Sequence, residues 1–529
     1  MLSFHFAYQV LFVTRNLDRL QSHVEIILAN AKCTGDKIKA HELMISALTL
    51  RGSTAEALDH AKSVLDTLGF PFPSSGNIET VREIAQSLST TIMAITPDQL
   101  RTFPVMTDEV PLQAMKIMSA VHMTFSFSRP FMFHMMACQM MQLTLQHGLC
   151  VQSAEAFANC GYCMNSIFHN YELGYRMGKL SLMILDRFKA TTMVAKVGLV
   201  VYGFLSVWVE PIQATIEGLQ SNVETGQAAG DFDSSLYDRV VVNRKRLLAG
   251  HNLQDLRNLL LRLCQDMVRI VFVWLLVYYP QRHLAQLQSF CPLQVHDISR
   301  KIFLSGFYPV LGDLYLVISL TGESKDDIHS MFGVSEEENE HILLERYKSC
   351  NNHALAQIVH YHRCLKSFWY RDYEAALEHE EKYDHFTEIS TILRVTDINT
   401  QIIRGLSSFI LARRKKRREL IPKGEEVLFK MQMWAKSNKW NAENKALLLE
   451  AESHFVNGDS EKATAAYEQS IQSAHNHKFI HEKALACELF GTFLVEQGDL
   501  SRGNEVLEEA RELYESWGAF KKAELIFPL

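Results

Sequence analysis

Glycine and proline are scarce in this sequence: 25 and 12 among 529 residues, about 5% and 2% where ~7% and ~5% are usual. That leaves few loops, excludes linker-like and collagen-like composition, and predicts a chain that is mostly helix. Positive charge is not in excess either. The 53 Lys and Arg face 60 Asp and Glu, a formal charge of −7, which argues against nucleic acid as a partner of the whole chain. The ten cysteines show no framework spacing; Cys33, Cys138, Cys150, Cys264, Cys291, Cys350, Cys364 and Cys487 are scattered, which predicts a reducing, intracellular setting. No apolar run reaches the ~18–20 residues of a membrane span. Val197–Val209 and Met267–Tyr279 fall short, Arg269 interrupts the second, and both read as buried helices. The opening segment lacks the basic start and small-residue cleavage site of a signal peptide, so the expected compartment is the cytoplasm. Strand-like alternation bounded by turn residues is missing as well.

What is present is a recurring punctuation mark. Gly458-Asp459 and Gly498-Asp499 each stand between two amphipathic runs, with a small residue four positions after the Asp, Ala463 and Gly503. Glycine just past a helix end accepts the left-handed backbone, and aspartate caps the next helix by accepting its free amide hydrogens. Each pair therefore reads as the tip of a helical hairpin. Weaker versions occur at Asp372 after Arg371, at Gly230-Asp231 with Ser235, at Asn170, at Gly52 with Ala57, and at Arg15-Asn16. Hairpins repeating at such intervals predict an all-α fold, an α-solenoid of stacked helical hairpins in which each unit buries its apolar face against its neighbours. Three stretches break the rhythm. Phe70–Asn77 is a proline-rich loop, residues 321–345 form an acidic polar connecting segment, and Arg413, Arg414, Lys415, Lys416, Arg417 and Arg418 form a basic run. The expected organisation is an N-terminal degenerate array over 1–320, the connector, and a C-terminal array over 346–529.

The C-terminal stretch from Glu450 to Lys522, ending in Tyr514-Glu515-Ser516-Trp517-Gly518-Ala519, resembles the tetratricopeptide-type repeats of large signalling proteins that join a serine/threonine kinase-like domain, a signal-transduction ATPase, a helical region and often a histidine kinase. Earlier pieces look similar, among them Ile27–Ala31, Val64–Gly69, Gly174–Leu180 and Trp208-Val209-Glu210-Pro211. The resemblance implies a tetratricopeptide-like superhelix with a regulatory role. It also implies an ATPase before this region and a sensor or kinase after it, so the chain reads as the middle of such a protein alone.

Candidate chemistry is thin. Gly174–Ser181 has three residues between its glycines and Leu180 at the hydroxyl position, whereas a phosphate loop needs four and a Ser or Thr. The nearest approach to a kinase D-F-G is Met331-Phe332-Gly333. Cys160 and Cys163 have half the spacing of a zinc site and read as core. His475, His477 and His481 read as solvated helix-end residues, the Met132–Met141 run as core, and Trp517 as an end-packing residue. The basic run reads as solvent-exposed, because desolvating six unpaired cations is costly; its functional versions are an anion-binding patch or a nuclear-import signal. These readings give no catalytic, cofactor or metal residue. They predict a non-enzymatic scaffold or sensor module for protein partners or a small ligand, with binding on the inner wall of the C-terminal array. The alternatives are a regulatory fragment of an ATPase/histidine kinase sensor and, more weakly, a nucleic-acid adaptor.

Overall fold

A computed structural model describes residues 17–31, 34–51, 53–73, 75–278, 299–350, 353–390 and 395–526. Every regular element among them is helical, and the only trace of sheet is an isolated bridge between Val105 and Leu149. The chain is all-α over these residues, as its composition and periodicity indicate. It forms two compact units, one of Met1–Val200, Cys264–Tyr308 and Cys350–Asn352, the other of Val201–Leu263, Pro309–Ser349 and His353–Leu529.

The first unit contains α1 (Leu17–Asn30), α2 (Thr34–Arg51), α3 (Thr54–Thr67), α4 (Ile78–Ala94), α5 (Pro97–Thr102), α6 (Glu109–Ser128), α7 (Pro130–His147), α8 (Ser153–Phe168), α9 (Tyr171–Phe188) and α10 (Val194–Val200). The Phe70–Asn77 loop separates α3 from α4, where Asn77 caps α4 by accepting from the Thr80 amide. Met132, Met136, Met140 and Met141 are buried, so the methionine run packs the core. A polar hub crosses it. The Glu155 carboxylate pairs with Lys196 at 2.9 Å and His122 at 3.1 Å and accepts from the Ser119 hydroxyl. Burial pushes this carboxyl up, but Lys196 and His122 outweigh burial and hold it at about 2.

The second unit opens irregularly. The backbone passes through a π-turn at Val201–Leu205 and a 3-10 turn at Ser206–Trp208 before α11 (Ile212–Ala229) and α12 (Phe232–Leu248). The 18 residues Thr191–Trp208 are apolar and long enough to cross a membrane by length and composition, yet 61% of them are buried. Helix α13 (Leu253–Tyr278) begins here, and α14 (Ser299–Thr321) ends here. The acid-rich stretch 321–345 holds α15 (Lys325–Phe332) and much of α16 (Glu336–Cys350). Glu336 bonds Lys325 and, at 2.9 Å, Lys366.

Helix pairs then follow in close succession: α17 (His353–Trp369) with α18 (Tyr373–Ser390), α19 (Val395–Arg414) with α20 (Ile421–Ser437), α21 (Lys439–Asn457) with α22 (Ser460–Asn476), and α23 (Ile480–Glu496) with α24 (Leu500–Trp517), closed by α25 (Phe520–Ala523). Two of these pairs share one internal chemistry. Glu452 of α21 accepts from Tyr467 of α22 at 2.6 Å and pairs with Arg413 at 3.3 Å. Glu488 of α23 accepts from Tyr514 of α24 at 2.6 Å and pairs with Arg371 at 2.7 Å and Lys522 at 2.9 Å. Both carboxylates are buried, where a charge is tolerated only when paired and hydrogen-bonded.

Candidate functional site

The hairpin tips have the geometry their residues call for. Gly230, Gly458 and Gly498 adopt φ of 82°, 83° and 90°, the left-handed region where a side chain would be strained. Asp231, Asp459 and Asp499 accept from the amides of Ser234, Lys462 and Arg502 at 3.1, 3.3 and 3.3 Å. Asn170 does the same for Leu173 at 3.1 Å, and Asp372 for Ala375 at 3.1 Å. At the Asp372 tip a non-glycine, Arg371, takes the left-handed backbone at φ 64°. Gly52, Arg15 and Asn16 lie outside the described residues. Ala463 is fully buried. A Cβ on Gly503 would stand 2.7 Å from Val495 Cγ2 and 3.2 Å from the Gly491 carbonyl oxygen, so α23 and α24 cross nearly backbone to backbone.

The basic run is not uniformly solvated. Arg413 lies within α19 with its side chain 12% exposed, paired to Glu496 at 2.7 Å and seated 3.9 Å over the Phe455 ring. The expectation of six exposed cations fails there because the buried Glu452 carboxylate needs a counter-charge. Helix α19 ends at Arg414, and Lys416 turns the chain at φ 55°. Arg414, Lys415, Lys416 and Arg418 are exposed, and Arg417 is half-buried. Lys415 pairs with Glu374 at 2.6 Å, and Arg417 with Glu419 at 3.1 Å.

Where the sequence predicts an open binding surface, the face of the C-terminal pairs that carries Trp517, His481 and Asn441 is covered by the unit's own chain. Twelve of the 17 residues of α23 are buried, against six of 17 in α22. The Trp517 indole donates to the His251 carbonyl at 3.1 Å and the Asn252 amide to the Ser516 carbonyl at 3.1 Å. Gly250 packs so close to His481 that a Cβ there would stand 2.5 Å from Nδ1. His481 is therefore 3% exposed, not solvated, and burial lowers its pKa to about 4. His475 is exposed, and His477 packs beside Trp440 at 4.8 Å between ring centres.

At one point the cover is gripped largely through its main chain. Asn438, the N-cap of α21, uses its side-chain oxygen to accept from the Asn441 amide at 3.1 Å. Its side-chain nitrogen donates to the carbonyls of Val207 and Glu210, both at 2.9 Å. Asn441 donates to the same two carbonyls at 2.8 and 2.9 Å and accepts from the Ile212 amide at 3.0 Å. Trp440 reaches Gln213 at 3.0 Å, and the Trp208 ring lies 5.6 Å from that of Trp434. Beside this clamp is a cleft of about 270 Å³, open solvent included, lined by Val207, Ile212, Leu248, Asn399, Lys445 and Phe479. The Lys445 ammonium bonds Glu482 at 2.7 Å and the Asn441 carbonyl at 2.8 Å and stands 4.5 Å over the Phe479 ring.

The remaining sequence candidates are packing residues. Gly174–Ser181 lies inside α9, where its amides serve the helix; a Cβ on Gly174 would meet the Gly161 carbonyl at 2.7 Å. Cys160 and Cys163 are buried, and they donate to the Cys138 thiol, which this lowers well below its ordinary pKa. Among the described residues no group of three or more His, Cys, Asp or Glu is disposed to hold a metal. Trp517 is 1% exposed with Trp369 at 5.3 Å.

Sequence reasoning missed the Asn438/Asn441 clamp and two further features. Asp238 is fully buried and neither of its carboxylate oxygens has a hydrogen-bond partner; burial raises it to about 8. A histidine seam runs between α17 and α18. His360 and His379 stack at 5.5 Å, Phe386 lies 6.0 Å from His360, and the Nδ1 atoms of His353, His360 and His379 are sealed without partners. The seven-residue spacing of His353 and His360 was the available signal for the seam. Compared with known proteins, the chain matches no family model and no curated protein.

Proposed function

We propose that the chain is a non-enzymatic helical-repeat module, a tetratricopeptide-like array of stacked hairpins that holds protein partners in signal transduction. The observation that carries this reading is the repetition of one tip, a left-handed residue followed by an Asp or Asn cap, at Asn170, Gly230-Asp231, Asp372, Gly458-Asp459 and Gly498-Asp499. Such hairpins stabilise one another by nearest-neighbour contact and offer long surfaces rather than one catalytic pocket. The shared Glu–Tyr–Arg chemistry of the α21–α22 and α23–α24 pairs supports the same view. Chemical cross-linking of the purified full chain in extract of its source cells is expected to capture a reproducible, discrete set of proteins. A capture indistinguishable from that of an inert protein of similar charge overturns the reading, as does ATP hydrolysis by the purified chain that is lost on Lys179→Ala.

A second reading is a regulatory fragment of a multidomain ATPase/histidine kinase sensor whose catalytic domains lie outside this sequence, favoured by the Trp517-Gly518-Ala519 closure that the resemblance rests on. Neighbouring reading frames for both enzymes are its test. An anion or import role for the basic run now falls on Arg414, Lys415, Lys416, Arg417 and Arg418, since Arg413 is engaged inside the fold. Replacing those five with Gln in a fluorescent fusion is expected to redistribute the protein if the import role is real.

A further inference from the structure

The Asn438/Asn441 pair has the makings of a recognition site and not merely of a tertiary contact. Apart from the Asn438 oxygen, which caps α21, its side-chain donors and acceptor address main-chain groups of the turn it holds, the carbonyls of Val207 and Glu210 and the amide of Ile212. Any sequence that folds into the same turn presents those groups. Sequence preference comes from the flanks: Trp208, 3% exposed beside Trp434, and Pro211, whose ring fixes the backbone just before the amide that Asn441 accepts. The held segment follows the π-turn Val201–Leu205 and begins within the 3-10 turn Ser206–Trp208. Such departures from α geometry mark places where a helix hinges.

We propose that Asn438 and Asn441 form a peptide-recognition site, filled in cis by Trp208-Val209-Glu210-Pro211, that accepts the same kind of turn from another polypeptide: an indole three residues before a proline, followed by a free main-chain amide. The site names the partner chemistry for the interaction module proposed above and rests on that reading. The cis turn is the incumbent, held between helical elements on both sides, so a competitor in trans has to be supplied at high concentration. Exchange therefore requires the cis turn to leave its clamp and is expected to be slow.

The test uses the full chain and a synthetic peptide with the sequence of Phe204–Gln213 carrying a photo-reactive group on the residue at the position of Phe204, so that the indole and the proline can each be replaced without removing the label. Irradiation at millimolar peptide is expected to label α20 and α21 saturably, with unlabelled peptide competing. Peptides with Ala in place of the indole or the proline are expected to label roughly tenfold less or weaker; these controls leave the protein unaltered, so they read the site whatever a protein variant does to folding. Asn441→Asp keeps the acceptor for the incoming amide but turns the donor into an acceptor facing two carbonyls, and is expected to abolish labelling while circular dichroism stays helical. No labelling of α20 and α21, or labelling equal for all three peptides, overturns the proposal. If that happens while cross-linked partners are still captured from extract, the clamp alone is lost. If neither appears, the interaction module is lost with it.

Discussion

At the scale of single residues, the buried carboxylates decide most. Arg413 and Lys416 are three apart in one basic run, yet their substitutions are expected to differ sharply. Arg413→Ala strands the fully buried Glu452 and should cost about 3–5 kcal/mol. Lys416→Ser removes an exposed cation and should stay within about 0.5 kcal/mol; urea midpoints compare them. Glu488 sets the acid limit of the second unit. Burial pushes its carboxyl up, but Lys522, Arg371 and the Tyr514 hydroxyl prevail and hold it at about 2, against an ordinary 4.5. A carboxyl depressed in the folded state gives stability that is complete above its unfolded value and is lost as pH falls towards the folded one. Glu488→Gln is therefore expected to be less stable than the parent at neutral pH and to lose less between pH 4.5 and 2, as read by acid unfolding followed by circular dichroism. None of these pairings was legible in the sequence. Arg413 looked like its five neighbours, and only the position of Glu452 across α21 separates it from them.

At the scale of elements, the α17–α18 seam loses stability in the same direction, as pH falls, but over a higher interval. Burial lowers His353, His360 and His379, with like charges on His385, Arg363 and Lys382 adding to it, and His360 comes down to about 4; Glu340 and Glu378 act against this at His379. Histidines depressed in the folded state bind protons more readily once unfolded, so stability is full above about pH 6.5 and falls as pH drops towards 4. Urea midpoints measured across that interval are expected to decline, and His360→Gln should flatten the decline. The α23–α24 crossing makes a steric prediction. Gly503→Ala places a methyl 2.7 Å from Val495 and 3.2 Å from the Gly491 carbonyl, and is expected to destabilise by about 1–3 kcal/mol even though alanine is ordinarily the better helix former. Hairpin tips were the legible part of the fold, because a left-handed glycine and an Asp cap act within four residues of each other. The histidine seam and the Asn438 clamp depend on which helix lies opposite, and periodicity carries no record of that.

At the scale of the whole molecule, the C-terminal pairs are not a free-standing array with an empty wall. Trp517, His481 and Asn441 are buried by residues 207–213 and 250–252, so a fragment of 347–529 is expected to unfold at markedly lower urea than the full chain and to recover when co-expressed with 201–263. A fragment as stable as the full chain would show the cover to be incidental. The same arrangement has a consequence in time. Asn438 lies 231 residues after the Val207 carbonyl it holds. At synthesis rates of ~5–20 residues per second, the turn emerges from the ribosome roughly 10–50 s before its clamp exists. Throughout that interval Trp208 and two carbonyl acceptors are presented by the nascent chain without their native partners, which gives a ribosome-associated chaperone that long to act on this turn.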